Sequence, residues 1–282
     1  MREGHRVGAI GRLQASQDET AVRPARDAAS ASTQADTKCV QKRTGAELET
    51  PSRLSYCQRM QDFSTWTKRG TPGLKALGGR HVLLEPLNWT KHGEGLFTAV
   101  GGDANAGIWE WMPVGPFPDR ESLRDFLALM HDTDGWKTLV ILDRQSGAVL
   151  GMATFMRIRE AHGSAEIGCV AFGPKLRRTR HATEAQALMA SHLFDELGYR
   201  RYEWKCNVEN TASKRAAERF GYAFEGVFRN DMVTKGRSRD TAWYSITGAE
   251  WPALKVALDQ WLADANFATD GAQIRTLESF RR

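Results

Sequence analysis

A basic turn between a strand-like and a helix-like segment is the part of the sequence best suited to chemistry. Alternation up to Phe172 predicts a strand, Gly173 and Pro174 end it, and residues 175–181 lead into a helix. The first turn of a helix directs backbone N–H groups outward at the positive end of its dipole, which suits a phosphate. Positive side chains strengthen this prediction, namely Arg177, Arg178, Arg180 and His181. A solvated basic turn is the alternative, because neither a P-loop nor a GxGxxG motif is present.

Polar residues outside this turn occur on the preceding strand, at Glu166, and at the start of a later helix, at Asn210 and Ser213. Alternation along the predicted strand puts Glu166 on the same face as Val170 and Phe172, and a carboxyl beside apolar groups has a raised pKa suited to a general base. A solvent-facing acid is the alternative. Asn210 and Ser213 begin a predicted helix, where Asn is a good N-cap and Ser a tolerable third residue.

Hydrophobic patterns place these residues in an alternating series of strands and helices. Strands are predicted at 79–87, 138–142, 148–155, 165–172, 201–208, 223–229 and 241–247. Helices are predicted at about 94–100, from Asp119 as N-cap, after residue 181, from Asn210 to Gly221, and from Trp251 to about Ala265. The segment 109–117 reads as a rigid aromatic loop, and residues 235–240 form a basic hairpin tip.

Composition and charge exclude several classes of protein. The chain has 282 residues, 41% of them hydrophobic, a mean hydropathy of −0.48 and no apolar run long enough for a membrane helix. Its net charge is +5, of which residues 1–60 carry +3, so the body is nearly neutral and nucleic-acid binding is not indicated. Four cysteines without a CxxC pair predict reduced thiols of an intracellular, cytoplasmic protein. The seven histidines show no metal-ligand spacing, and no metal is predicted.

The chain divides into three parts by composition. Residues 1–62 are rich in Ala, Ser, Thr, Gln and charge, which predicts a disordered or non-native extension. Met60 precedes the first folded sequence and is a candidate start. A folded domain is expected over residues 63–270, followed by a tail over 271–282.

The order of these elements, together with four short motifs, resembles a known family. The motifs are Ala165-Glu166-Ile167-Gly168, Ala182-Thr183-Glu184-Ala185, Asn210-Thr211-Ala212-Ser213 and Glu218-Arg219-Phe220-Gly221-Tyr222. Their combination over residues 65–265 resembles the GNAT acetyltransferases, and within them the ribosomal-protein N-terminal acetyltransferases RimJ and RimL. The resemblance implies an α+β fold whose mixed, mostly antiparallel sheet is flanked by helices. Two central strands, those of Glu166 and Trp204, would part to admit the pantetheine of acetyl-CoA.

The resemblance also implies which residues contact acetyl-CoA, the acyl donor. They are Val170, Ala171, Phe172, Arg177, Arg178, Thr179, Arg180, His181, Ala182, Thr183, Asn207 and Asn210. One departure falls in the pyrophosphate turn, where the family's glycine is replaced by Arg180. That side chain must either swing aside and bind phosphate or obstruct the site.

Catalytic and acceptor roles follow from the same resemblance. Glu166 would deprotonate the substrate ammonium, and the amine would attack the thioester directly, without a covalent enzyme intermediate. Ser213 would stabilise or protonate the departing thiolate, because the tyrosine that some relatives use corresponds to Ala217 here. Trp109, Trp111 and Phe117 would line the acceptor side, with core packing as their alternative. Core packing is favoured for Cys169 and Cys206.

The sequence therefore predicts an acyl-CoA N-acyltransferase that acts on a primary amine. A catalytically weak GNAT-fold binding or regulatory module and a nucleic-acid-associated protein are the rivals. The acceptor, whether a protein N-terminus, a polyamine, an antibiotic or another metabolite, stays open. So does the oligomeric state, including a homodimer.

Overall fold

The computed structural model describes residues 63–281. The predicted extension over residues 1–62 and the candidate start at Met60 lie outside the described residues. No helix among the described residues has the length and hydropathy needed to cross a bilayer.

Eight strands form one mixed sheet with the order β1-β2-β3-β4-β5-β6-β8-β7. Every neighbouring pair is antiparallel except β5 and β6, which run parallel. This arrangement confirms the predicted α+β fold. The strands are β1 (Leu77–Gly78), β2 (Val82–Pro86), β3 (Lys137–Asp143), β4 (Val149–Arg159), β5 (Ser164–Phe172), β6 (Arg201–Asn207), β7 (Ala223–Thr234) and β8 (Arg237–Thr247).

Five α-helices cover the two faces of the sheet. They are α1 (Trp89–Val100), α2 (Arg120–Asp134), α3 (Arg180–Ser191), α4 (Thr211–Arg219) and α5 (Trp251–Leu262). Four of them have a side-chain N-cap that accepts a hydrogen bond from a backbone N–H of the first turn. The capping residues are Asn88, Asp119, Thr179 and Asn210. The predicted caps at Asp119 and Asn210 are confirmed.

The sheet separates two apolar cores. The larger core packs α3 and α5 against the face that carries Ile167, Tyr202 and Trp204. The smaller core packs α1 and α2 against the opposite face and contains Trp109 and Leu123. The strands β5 and β6 are interior strands of this sheet and lie between the two cores.

Two segments differ from the sequence-based expectation. The hairpin of β7 and β8 is longer than predicted, so its tip is only Lys235 and Gly236, and Arg239 belongs to a strand. Residues 271–281, suggested as a tail, are packed on the domain. Leu277 is fully buried there, and Arg281 Nη1 donates to the carbonyl oxygen of Glu218.

Candidate active site

The two central strands part halfway along their length. β5 and β6 pair in register from Ser164 opposite Arg201 to Ile167 opposite Trp204. Beyond that point, within the described residues, β5 pairs only with β4, and β6 pairs only with β8. A cleft therefore opens between the two strands, as the family resemblance implies, and its unpaired backbone groups face the gap.

Glu166 lies directly before this cleft, in an ionic environment rather than the apolar one that alternation suggests. Its Oε2 is 2.8 Å from Lys205 Nζ and 3.4 Å from Arg157 Nε. Burial raises the pKa of Glu166, and the charges of Lys205 and Arg157 act in the opposite direction. The site thus holds a nearly buried carboxyl. Burial favours its protonated form, and the two cations favour its ionised form.

The predicted sharing of one face by Glu166, Val170 and Phe172 is wrong. A bulge at Cys169, which has a left-handed φ of 45°, shifts the register of β5 against β4. Val170 and Phe172 therefore pack on the larger core, whereas Ala171 belongs to the smaller one. One extra residue in a strand exchanges its two faces, which the alternation pattern alone does not reveal.

Lys205 is a central residue of the cleft that the sequence analysis missed. Its side chain is 6% exposed, and Nζ lies 2.8 Å from Glu166, 3.0 Å from Glu203 Oε2 and 3.7 Å from the ring centre of Trp243. Two carboxylates and an aromatic face together satisfy a primary ammonium. Once the pairing of β5 with β6 is known, Glu166 is seen to lie opposite Glu203, and this register identifies the cluster of two carboxylates around Lys205.

The basic turn lines a large cavity. The N-cap Thr179 accepts the N–H of Ala182, which leaves the first-turn N–H groups of Arg180 and His181 without an intrahelical acceptor. The cavity has a volume of about 990 Å³. Its walls are the start of α3, α4 and the segment after α5, with Arg178, Arg215 and Arg219 among the lining residues. Cationic side chains and free helix N–H groups fit a nucleotide with phosphates.

Arg180 is turned towards the C-terminal segment. Its Nη1 lies 3.2 Å from Asp264 Oδ1, and its guanidinium lies 4.8 Å from the ring centre of Phe267. The side chain at the position where the resemblance implies a glycine therefore lines the cavity while it contacts residues after α5. Of the remaining turn residues, Arg177 Nε donates to the carbonyl oxygen of Phe172, and His181 Nε2 lies 3.2 Å from Asp143 Oδ2.

Two arginines of α4 also line the cavity, and the sequence analysis did not assign either of them to the cofactor site. Arg219 Nη1 donates to Thr183 Oγ1 at 3.0 Å, linking α4 to the start of α3. Arg215 lies one helical turn before Arg219 and lines the same cavity. Their spacing of four residues on α4 is the signal that could have identified them.

Asn207, Asn210 and Ser213 have structural roles at the start of α4. Asn207 Oδ1 accepts the N–H of Glu209, and Asn210 Oδ1 accepts the N–H of Ser213. Ser213 Oγ accepts the indole N–H of Trp204 at 3.0 Å. Because that bond uses an oxygen lone pair, the hydroxyl proton of Ser213 is still available for donation.

Two of the three predicted acceptor aromatics belong to the core. Trp109 is fully buried and donates its indole N–H to the carbonyl oxygen of Val100. Phe117 is buried against it, with ring centres 4.8 Å apart. Their rings therefore present no free face to an acceptor, which corrects the expectation, whereas Trp111 keeps partial exposure.

The cysteines have the environment of packing residues. Burial raises the pKa of Cys169 to about 12 and also raises that of Cys206. Both thiols are thus protonated at neutral pH and unsuited to nucleophilic attack. Among residues 63–281, no group of three or more His, Cys, Asp or Glu side chains is arranged to hold a metal ion.

A sheet with parted parallel strands, a carboxyl at the fork and a phosphate-suited helix start define an acyl-CoA-type transferase fold. Comparison with known proteins agrees. Residues 81–223 match the acetyltransferase (GNAT) domain, just over half of the chain, and the protein belongs to this family of N-acetyltransferases.

Individual relatives show the same relationship. A GCN5-related N-acetyltransferase from Brucella melitensis is 46% identical, covers 77% of this chain and 98% of its own, and has a TM-score of 0.73. The uncharacterized N-acetyltransferase p20 of Bacillus licheniformis is 27% identical over 147 residues, which are 51% of this chain and 82% of that protein. The putative ribosomal N-acetyltransferase YdaF of Bacillus subtilis is 27% identical over 109 residues, 39% of this chain and 59% of that protein.

Proposed function

We propose that this protein transfers an acetyl group from acetyl-CoA to a primary amine with Glu166 as the general base. The observation that carries the proposal is the position of a nearly buried carboxyl at the point where β5 and β6 part. The cavity at the start of α3 would hold the phosphates, through the N–H groups of Arg180 and His181 and the side chains of Arg178, Arg215 and Arg219. Acetyl-CoA supplies the activated acyl group.

Glu166 removes a proton from the acceptor ammonium, so that the neutral amine can attack the thioester. A base works best when its pKa is near the working pH. Burial raises the pKa of Glu166 towards that range, and the charges of Lys205 and Arg157 act against this rise by favouring the ionised carboxylate. The tetrahedral intermediate then collapses, the carbon–sulfur bond breaks, and the amide and the CoA thiolate separate. Ser213 stabilises that thiolate by donating a hydrogen bond from its hydroxyl, while the indole N–H of Trp204 holds the hydroxyl oxygen in place.

The finer classification belongs to the same proposal. Membership of the RimJ and RimL branch is supported by the motifs around Glu166 and Ser213 and by the similarity to YdaF. A cytoplasmic location is supported by the free thiols of Cys169 and Cys206. A homodimer is supported by the exposed side chains of Phe224 and Phe228 on the edge strand β7. Light scattering during gel filtration measures the oligomeric state.

Two measurements test the proposal. At a hundredfold excess over its Kd, acetyl-CoA should stabilise the fold by about 2.7 kcal/mol, which corresponds to a rise in Tm of about 5–10 °C. A CoA-release assay over classes of amines should then identify an acceptor. A rise in Tm without CoA release for any amine would favour a binding module. A salt-dependent shift of DNA without protection by acetyl-CoA would favour a nucleic-acid partner.

A further inference from the structure

Arg239 is a buried cation without a partner. It lies on β8 opposite Met232 and is 8% exposed. Its Nε is buried and its N–H donates to no acceptor, and across residues 63–281 the guanidinium forms no ion pair with a carboxylate. Burial lowers the pKa of Arg239, yet an arginine remains charged at neutral pH. The fold thus holds a nearly buried guanidinium whose Nε has no hydrogen-bond acceptor among the described residues.

The neighbouring cations on this side of the sheet are already paired. Arg201 donates to Glu203 and forms a two-pronged pair with Glu225, and Arg159 Nη2 lies 2.6 Å from Glu203. Lys205 is satisfied by its two carboxylates and Trp243. Arg239 alone among these side chains lacks a partner in the described part of the chain.

Arg239 lies near the proposed base. The carboxylates of Asp231 and Glu166 act on its guanidinium favourably, and the charge of Arg157 acts against it. Alternation along β8 places it with Thr241 and Trp243, on the face that Lys205 occupies on β6. Arg157, the other cation beside Glu166, has a left-handed φ of 47°. Strained backbone of this kind is concentrated at functional sites.

A buried charge is expensive unless something pairs with it, and a carboxylate on a ligand can supply that pairing. We propose that Arg239 binds a carboxylate of the amine acceptor, so that the acceptor's ammonium lies at Glu166 and its carboxylate at Arg239. This inference rests on the proposed function of Glu166. It assigns the substrate class as amines that also carry a carboxylate, and it disfavours polyamines, whose second ammonium would meet the guanidinium.

The test compares acceptors that differ only in this carboxylate. One set contains single amino acids and their carboxamides; the other contains short C-terminally amidated peptides with Glu or Gln at the second position. The two sets separate an α-carboxylate from a side-chain carboxylate. Binding is measured by calorimetry with saturating CoA, and turnover by CoA release. In at least one set, the carboxylate form should bind and react about tenfold or more better than its amide.

The variant Arg239→Gln should abolish this preference while leaving the amide forms within about threefold of the unmodified protein. Arg237→Gln is the matched control, because Arg237 is an exposed arginine two residues away on β8. The Tm of Arg239→Gln should stay the same or rise, because a nearly buried charge without an ion-pair partner is removed. Arg239→Lys, which keeps the charge, should retain part of the preference.

Three results would overturn the proposal: no carboxylate preference in either set, a preference that survives Arg239→Gln, or no binding of any carboxylate form in the presence of CoA. Failure of the proposed function is recognised separately. It would appear as absent binding of acetyl-CoA, or as carboxylate-dependent binding of amines without any release of CoA.

Discussion

Unusual backbone conformations mark the candidate site at the scale of single residues. Among the described residues, five non-glycine positions have a left-handed backbone: Arg157, Cys169, Arg178, Asn230 and Lys235. Arg157 and Cys169 adjoin Glu166, Arg178 lines the cavity, and Lys235 Nζ donates to the carbonyl oxygen of Trp109. Such conformations cost about 1–3 kcal/mol each. At Arg157 and Arg178 the fold therefore gives up stability to place one cation beside Glu166 and another on the cavity wall.

Replacing Glu166 by Gln tests the proposed base. Turnover should fall by about 10² to 10⁴, while the affinity for CoA is kept. The loss should become smaller at high pH, where free amine forms without help from the enzyme. In the unmodified protein the raised pKa of Glu166 places the acidic limb of the rate profile above the usual carboxyl range, because only the ionised form accepts a proton. Steady-state rates across pH measure both effects.

The matched control for this variant is Glu209→Gln, an exposed glutamate in the turn between β6 and α4. It removes the same charge close to the site and should leave the pH profile unchanged. Unchanged turnover of Glu166→Gln at neutral pH would remove Glu166 from the mechanism and favour a route through water or the substrate.

Replacing Ser213 by Ala separates catalysis from helix capping. If the hydroxyl stabilises the departing thiolate, turnover per folded protein should fall at every pH, without recovery in alkali. A capping role alone would cost about 1 kcal/mol or less of stability and leave the rate unchanged. Ser122→Ala is the control, because Ser122 has the same position after the cap Asp119 on α2. Rates and thermal unfolding of both variants decide the question.

Residue types alone predicted some of these positions and missed others for a physical reason. Glu166, Asn210 and the basic turn follow from local sequence, and the structure places all of them around the parted strands or the cavity. Lys205 and Arg239 look like ordinary exposed charges in a strand pattern. Their burial depends on which strand lies beside them, which is information that only the pairing of β5, β6 and β8 supplies.

At the scale of elements, the segment after α5 completes the cavity that starts at α3. Phe267 lines the cavity, contacts the Arg180 guanidinium and packs edge-on against Trp261 with ring centres 5.1 Å apart. Asp264 pairs with both Arg180 and Arg80. The hydrophobic periodicity of the sequence predicted α5 well. Residues 264–281 show no such periodicity, so the sequence did not predict their packing on the domain.

Phe267→Ala should weaken CoA binding by about tenfold, since the change removes apolar surface of the order of a buried side chain. Arg180→Ala should weaken it as well, and the double variant should lose less than the sum, because both residues act through one contact. Ile274→Ala, in the same segment but exposed and outside the cavity, should bind CoA normally. Calorimetric Kd values test this prediction, and strictly additive losses or tighter binding by Arg180→Ala would contradict it.

At the scale of the whole molecule, the functional unit has a nearly neutral charge and is built on a single sheet. Residues 62–282 form one compact unit, and this unit contains the parted strands, the cavity and both cores. Its first residues are tied to the sheet: Trp66 Nε1 donates to the carbonyl oxygen of Ala161, and Tyr199 Oη donates to that of Gly70. The first described residues therefore belong to this unit, and a boundary near residue 62 stays the prediction that composition makes.

A chain that starts at Met60 should consequently keep the Tm within about 2 °C and bind acetyl-CoA with unchanged affinity. A chain that starts at Leu74 is the control, since it loses the contacts of Trp66 and Gly70 as well as that of Thr71 with Glu160. Losing hydrogen bonds worth about 1 kcal/mol each should lower its Tm by about 5 °C or more. Thermal unfolding with and without acetyl-CoA measures both variants. If the chain from Met60 melts as early as the chain from Leu74, the first 59 residues contribute to the stability of the domain and the boundary must be moved towards the N-terminus.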